Sequence, residues 1–192
     1  KTVALSVYGL EEHDLQTLMR EAKAKDQVEG GSDSPEVYIS HYWSPVGFTA
    51  SGLRSTVMQL KWLLRDNPNA IVHEVEHVRT ALHTPLAEPI AETVGAGLSG
   101  VPFDPPQCDL YFNAGYRVSV GQDANYCFQN SMRHLTEPAY WAGIISTCIE
   151  RGVTEFVECG PGSSLKDIMI FNVYSTTHMT VRPYEKTRNI SV

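Results

Sequence analysis

The chain has 192 residues, 15 Lys+Arg against 22 Asp+Glu, a net charge of -7, and 42% hydrophobic and 19% charged residues. At about 150 residues per domain this is one medium domain or two small ones with a real core, which excludes disordered, collagen-like and coiled-coil classes. An acidic chain without a basic run is a poor candidate for nucleic-acid binding, and the longest apolar stretch, Ala139 to Ile145, is broken by Gly143 and far short of the roughly 20 residues that span a bilayer. No nucleic-acid or membrane partner is expected.

Taken in chain order, the first 80 residues alternate strand and helix signals. Val3, Leu5 and Val7 share one face of a period-two run over 2–8, closed by Gly9. Glu11 to Lys25 places Leu15, Leu18, Met19 and Ala22 at helical spacing, with acidic residues in the first turn. After a polar Gly/Ser-rich loop over 26–35, Val37 to His41 and Gly47 to Ala50 read as short strands joined by a turn at 43–47. Leu53 to Leu64 is a second amphipathic helix, and Ile71 to Val78 reads as a fourth strand. The order β-α-β-β-α-β is that of a ferredoxin-like split unit.

The remainder has another rhythm. Pro85 to Val94 reads as a short helix, 95–107 as a Gly/Pro-rich connection, and Asp109 to Phe112 as a short strand. Asp123 to Leu135 and Pro138 to Arg151 read as helices, the latter with Pro at its first position and Gly152 at its end. Thr154 to Val157 is expected to be a buried strand that runs into Gly160-Pro161-Gly162-Ser163-Ser164 and a helix from Leu165 to about Phe171. Strand, Gly-rich turn and helix belong to α/β architecture. Cys108, Cys127, Cys148 and Cys159 lie far apart with no C-x-x-C spacing, and are expected to be reduced, mostly buried thiols of an intracellular protein. The opening Lys1-Thr2-Val3-Ala4-Leu5 has no Met and no leader signature, which suggests a processed chain or a fragment.

Three constellations could carry chemistry. His73-Glu74-Val75-Glu76-His77 matches H-E-x-x-H, and His83 stands at the spacing of a third zinc ligand. On a helix the two His would grip Zn²⁺ while Glu74 activates its water. However, Thr80 occupies the expected Gly position, and 71–78 also alternates as a strand. There His73 and His77 would stand about 13 Å apart, too far for one metal. The second is His83 itself, just before a Pro-started helix, where an imidazole can act as general base if its other nitrogen is held. The third is the turn after Glu158-Cys159, whose glycines permit close backbone approach. It lacks the Lys-Ser/Thr pair and the G-x-G-x-x-G of phosphate cradles. No G-x-S-x-G elbow occurs in the chain.

Together these segments resemble the malonyl-CoA:acyl carrier protein transacylases and the related acyltransferase domains of fatty-acid and polyketide synthases. Val37 to Gly52 (V-Y-I-S-H-Y-W-S-P-V-G-F-T-A-S-G) is similar to the family's A-N-Y-N-S-P-G-Q-V-V-I-S-G segment, and Ala81 to Pro89 to its A-F-H-S-P-L-M segment. Leu110 to Gly115, Leu135 to Trp141 and Glu155 to Leu165 are similar to the family's strand end at Asn, its L-x-x-P-V-x-W segment and its E-V-G-P-G-x-x-L segment. The five matches are collinear.

The resemblance implies an α/β fold: a ferredoxin-like small subdomain over 1–78, the C-terminal part of an α/β-hydrolase-like acyltransferase core over 79–182, and a tail over 183–192. It implies that His83 is the base and acid of a Ser–His pair, its imidazole held by the main-chain carbonyl of His134, where the family usually has Gln. Asn113 and Gly160, Pro161 and Gly162 would support the pocket floor. Leu82, in place of the family's Phe, would wall the acyl pocket, and Trp43 replaces the Asn of N-S-P-G.

The family's serine, oxyanion-hole Gln and carboxylate-binding Arg precede the region matched. The implied partners are therefore an acyl carrier protein and the N-terminal acyltransferase segment or a partner chain bearing the nucleophile. Without it the chain is expected to be inactive on its own. A coenzyme A thioester is the implied substrate, and no cofactor or metal is expected. Two readings stand beside this one: a homologue without catalysis serving as an interaction subunit of a larger assembly, and a zinc hydrolase built on His73, Glu74 and His77. The family works in bacterial cytoplasm, mitochondria and plastids, so the expected compartment is the mitochondrial matrix in a eukaryote and the cytoplasm otherwise.

Overall fold

The computed structural model describes residues 1–75, 80–160, 164–170, 172 and 180–183. The chain divides into two units, Lys1–Ile144 and Ile145–Val192. The first opens with β1 (Thr2–Tyr8), α1 (Glu12–Val28), β2 (Val37–Ser44), β3 (Gly47–Leu53), α2 (Arg54–Arg65) and β4 (Ile71–Glu74). These strands form one antiparallel sheet in the order β2-β3-β1-β4.

The apolar periodicity explains the packing. Leu15, Met19 and Ala22 of α1 and Val57, Leu60 and Leu64 of α2 are buried at helical spacing. They cluster with Leu5, Val7, Val37, Ile39, Phe48 and Ala50 of the sheet, so both helices cover one sheet face. Asp26, near the end of α1 and 1% exposed, accepts hydrogen bonds from the Ser55 hydroxyl (3.1 Å) and the Thr56 hydroxyl (2.6 Å). A carboxylate at the start of α2 also suits the positive end of that helix.

The strand β2 does not alternate regularly. Ile39 pairs with Ala50 but His41 pairs with Thr49, so Ser40 is surplus; Tyr42 pairs with Phe48 and Ser44 with Gly47, so Trp43 is surplus. Each surplus residue is a bulge that re-aims the side chains after it. Ala50 and Thr49 point to opposite faces of β3, so the first bulge turns His41 away from the core face that holds Ile39. The second faces Trp43 the same way, where its indole N–H donates to the Thr49 hydroxyl at 2.8 Å.

Beyond the sheet, a single 3₁₀ turn (Pro85–Ala87) leads into α3 (Glu88–Leu98), followed by the short antiparallel pair β5 (Leu110–Tyr111) and β6 (Arg117–Val118), α4 (Ala124–Arg133) and α5 (Trp141–Glu150). The helix expected from Pro138 begins three residues later. Residues 138–140 are extended instead: Ala139 N–H donates to the Ser40 carbonyl and Tyr42 N–H to the Ala139 carbonyl, both at 2.8 Å, lengthening the edge of β2. Sheet-edge hydrogen bonding thus overrides the local preference of Pro for a helix start.

In the second unit, Gly152 (φ 86°) follows α5 in a left-handed conformation open to glycine. The strand β7 (Glu155–Glu158) pairs in parallel with β8 (Thr180–Pro183), and α6 covers Ser164–Ile170. Glu158 closes the first turn of α6 by accepting from the N–H groups of Leu165 and Lys166 at 3.0 and 3.1 Å. Two expectations are corrected here. The strand expected to be buried is largely open to solvent, with Val157 42% exposed, and it pairs with β8 along one edge. The cysteines are free as expected but not mostly buried: Cys127 is buried, Cys148 half-buried, and Cys108 and Cys159 are exposed because they lie in loops. No helix among the described residues is long and apolar enough to cross a membrane.

The register at β3 generates a prediction. A Cβ on Gly52 would sit 2.2 Å from the Glu36 carbonyl oxygen and 2.7 Å from Val37 Cα, both backbone atoms. Gly52→Ala should push β2 off β3 and lower stability by about 2 kcal/mol. Urea unfolding checks this, and an unchanged midpoint would contradict the close approach.

Candidate active site

Residues 81–84 form a tight turn before the Pro-started 3₁₀ segment. Thr84, fully buried, donates its hydroxyl to the Ala81 carbonyl at 2.5 Å. Within this turn His83 adopts φ 61°, the left-handed region that a residue with a Cβ enters at a cost of about 1–2 kcal/mol. Two contacts to the end of α4 hold it there. Its N–H donates to the Leu135 carbonyl at 2.8 Å, and its Nδ1 lies 2.5 Å from the His134 carbonyl oxygen. A carbonyl can only accept, so Nδ1 carries the proton. The neutral ring therefore keeps its lone pair on Nε2, the atom a general base needs.

The bulged strand supplies the other side. His41 meets His83 edge to face, with ring centroids 4.7 Å apart at 75°, and stacks on Trp43 at 4.7 Å and 13°. The Ser40 hydroxyl donates to the Thr49 carbonyl at 3.1 Å. It also lies within hydrogen-bonding distance of Ser51 Oγ at 2.8 Å and of His41 Nδ1 at 2.9 Å.

Burial lowers the pKa of both imidazoles. That of His41 falls to about 4, first through desolvation and then through the charge His83 takes up. That of His83 is also lowered by burial, while the His134 carbonyl works in the opposite sense by favouring the protonated ring. Both rings are neutral near pH 7. A cavity of about 380 Å³ opens beside His83, lined by Met19, Val37, Ile39, Tyr42 and Pro138 among others. Glu137 also lines it, with its carboxylate held by Arg133 Nε (2.7 Å) and the Tyr116 hydroxyl (3.0 Å).

The other candidate residues fall as follows. The Asn113 side chain is exposed, while its carbonyl accepts Tyr140 N–H at 2.7 Å and so ties down the strand-like segment after α4. Leu82 is 36% exposed and is not among the residues lining the cavity. Gly160 follows β7 with φ 155°; Pro161 and Gly162 lie outside the described residues. The zinc arrangement loses its helical basis, because His73 and Glu74 sit on β4, where Glu74 pairs with Lys61. His77 lies outside the described residues, and among those described no three potential ligands gather to hold a metal. The residue missed from sequence is His41. Its signal was its place at the first Asn of the family segment A-N-Y-N-S-P-G, two residues before the noted Trp43.

The two depressed imidazoles set a pH dependence. Both folded-state values lie below the free value of 6.5, so between about pH 4 and 6.5 the unfolded chain binds protons that the folded chain does not. Stability should therefore rise with pH across that window and level off above it. His41 alone should account for about 2 kcal/mol lost between pH 7 and pH 5. Urea unfolding at the two pH values measures it. His41→Phe, which removes the ionisation, should abolish the larger part of the slope.

No family model matches the chain. It is 32% identical over 130 residues to the polyketide synthase GfsB of Streptomyces halstedii, a match that takes in 67% of this chain and 2% of that protein. Among solved structures it is similar to the malonyl-CoA:acyl carrier protein transacylase of Coxiella burnetii (TM-score 0.81, 19% identity), over 95% of this chain and 53% of that one. A malonyl-transacylase solved in complex with a type II polyketide synthase acyl-carrier protein matches with TM-score 0.77 and 20% identity, over the same shares of the two chains. The acyltransferase domain of the second module of the salinomycin polyketide synthase matches with TM-score 0.74 and 20% identity, over 95% of this chain and 39% of that one. The chain thus spans about half the length of the solved transacylases it matches. In sequence it resembles the malonyl-CoA:acyl carrier protein transacylases and polyketide synthase acyltransferases, and its mixed α/β fold is theirs.

Proposed function

We propose that this chain is the base-bearing part of an acyltransferase that moves an acyl group, malonyl in the simplest case, from a coenzyme A thioester to the thiol of an acyl carrier protein. The observation that carries the reading is the state of His83: neutral, with Nδ1–H on a main-chain carbonyl and the Nε2 lone pair left for a proton. Residues 1–78 are read as a ferredoxin-like subdomain and 79–182 as the C-terminal part of an α/β-hydrolase-like core. The antiparallel order β2-β3-β1-β4 with two helices on one face supports the first of these.

The nucleophile in this reading is a serine from the part of the fold that the chain does not span. His83 Nε2 accepts the serine proton as the oxygen attacks the thioester carbon, and returns it to the coenzyme A sulfur as the C–S bond breaks. The second half runs in reverse: Nε2 takes the carrier thiol's proton, the sulfur attacks the serine ester, and the serine oxygen leaves with that proton. The His134 carbonyl holds the imidazole through both halves in place of a carboxylate. Leu82 would wall the acyl pocket, and Asn113 with Gly160, Pro161 and Gly162 would support its floor. No cofactor takes part.

The aromatic and imidazole side chains at Trp43 and His41, where the family segment has Asn, favour one second reading: a homologue without catalysis that serves as an interaction subunit. In the natural full-length protein, His83→Ala should lower loading of malonyl from coenzyme A onto carrier protein by about a thousandfold. Mass spectrometry of the carrier reads the product. Near-native loading by the variant would overturn the role of His83, and a native protein that loads nothing would leave the second reading.

A further inference from the structure

The base His83 is gripped at one nitrogen only, and a single hydrogen bond fixes a point rather than a plane. Rotation of the imidazole about its Cβ–Cγ bond would swing Nε2 away and bring a carbon to the His134 carbonyl. Something must stand against the ring. Two rings approach it, His134 at 5.4 Å and 62° and His41 at 4.7 Å and 75°, and His41 is itself anchored at three points. Its Nδ1 is held by Ser40, its backbone is bridged to Ala139, and its ring is stacked on Trp43, whose indole is tied to Thr49.

We propose that His41 is the positioning residue for His83: stacked on Trp43, its ring is the wall that keeps Nδ1 of His83 on the His134 carbonyl and Nε2 free. It is the flat ring that does this, not its nitrogens. The Ser40 hydroxyl keeps its donor contact to Thr49 and its contact with Ser51 whatever ring occupies position 41. A side chain packed against neighbouring rings loses rotational freedom before any ligand arrives, which is how a catalytic group is made ready. The consequence for transfer rests on the function proposed above; the geometry does not.

The ring state can be read directly. In the ¹⁵N-labelled chain at neutral pH, long-range ¹H–¹⁵N correlation should show one tautomer for His83, with a protonated Nδ1 and a bare Nε2. His41→Ala and His41→Asn should both shift the two nitrogens toward the averaged values of a free imidazole. His41→Phe, which restores a ring without nitrogens, should return the native pattern. Retention of that pattern by the folded Ala or Asn variant, or its loss in the folded Phe variant, would overturn the proposal. Should His41→Ala not fold, Trp43→Leu removes the backing of the stack and should move the same resonances; a native pattern there would also overturn it.

A second readout separates this inference from the function it refines. In the natural full-length protein His41→Ala should lower kcat about tenfold with KM within about twofold, since positioning without substrate contact acts on the chemical step. If His83→Ala leaves transfer intact, the proposed function fails while the ring measurement still decides the role of His41.

Discussion

The site depends on one pair of hydrogen bonds, from the N–H and Nδ1 of His83 to consecutive carbonyls at the end of α4. A left-handed residue with a side chain is costly, and a turn of four residues has little else with which to meet that cost. The helix end supplies what is missing. The carbonyls of Met132 and Arg133 are taken by the N–H groups that follow α4, and the next two, of His134 and Leu135, accept from the imidazole and the main-chain N–H of His83. Structure that would otherwise need water is satisfied by the group whose orientation matters most.

Around that latch, three stretches distant in sequence converge. The turn at 81–84 brings the imidazole, the end of α4 brings the carbonyls, and the extended residues 138–140 tie the same stretch to the edge of β2. The helices α1 and α2 fill the opposite face of the sheet with Leu, Val and Met, which leaves the β3 face of Thr49 and Ser51 to carry polar chemistry. Burial then does the electrostatic work. It keeps both imidazoles uncharged, and an uncharged ring is the form that can accept a proton.

Much of the first unit could be read from the residues. The spacing of Leu15, Met19 and Ala22 and of Val57, Leu60 and Leu64 is the spacing they bury, and the run Val3-Leu5-Val7 is a strand. The contact between His83 and the carbonyl of His134 followed from resemblance and not from any local pattern, because a main-chain atom leaves no mark in the identity of the residue that bears it. Pro138 misled because its helix-starting preference is weaker than the hydrogen bonds that residues 138–140 make to a sheet edge far earlier in the chain, at Ser40 and Tyr42. The strand β5 lies within the one expected over Asp109 to Phe112, whereas β6 and β8 are too short for period-two alternation to register. His41 escaped for a related reason: alternation puts it on the face of Ile39, and only pairing with Thr49 reveals that it is not there.

That pairing has an evolutionary corollary. Because Ser40 is an added unit in β2, deleting it would join Ile39 directly to the residue opposite Thr49 and leave that residue on the same face. The loss would fall on the serine hydroxyl beside the imidazole, not on the side of the sheet the imidazole occupies. Descendants of this fold can therefore shed the bulge by an indel and keep the ring where it stands.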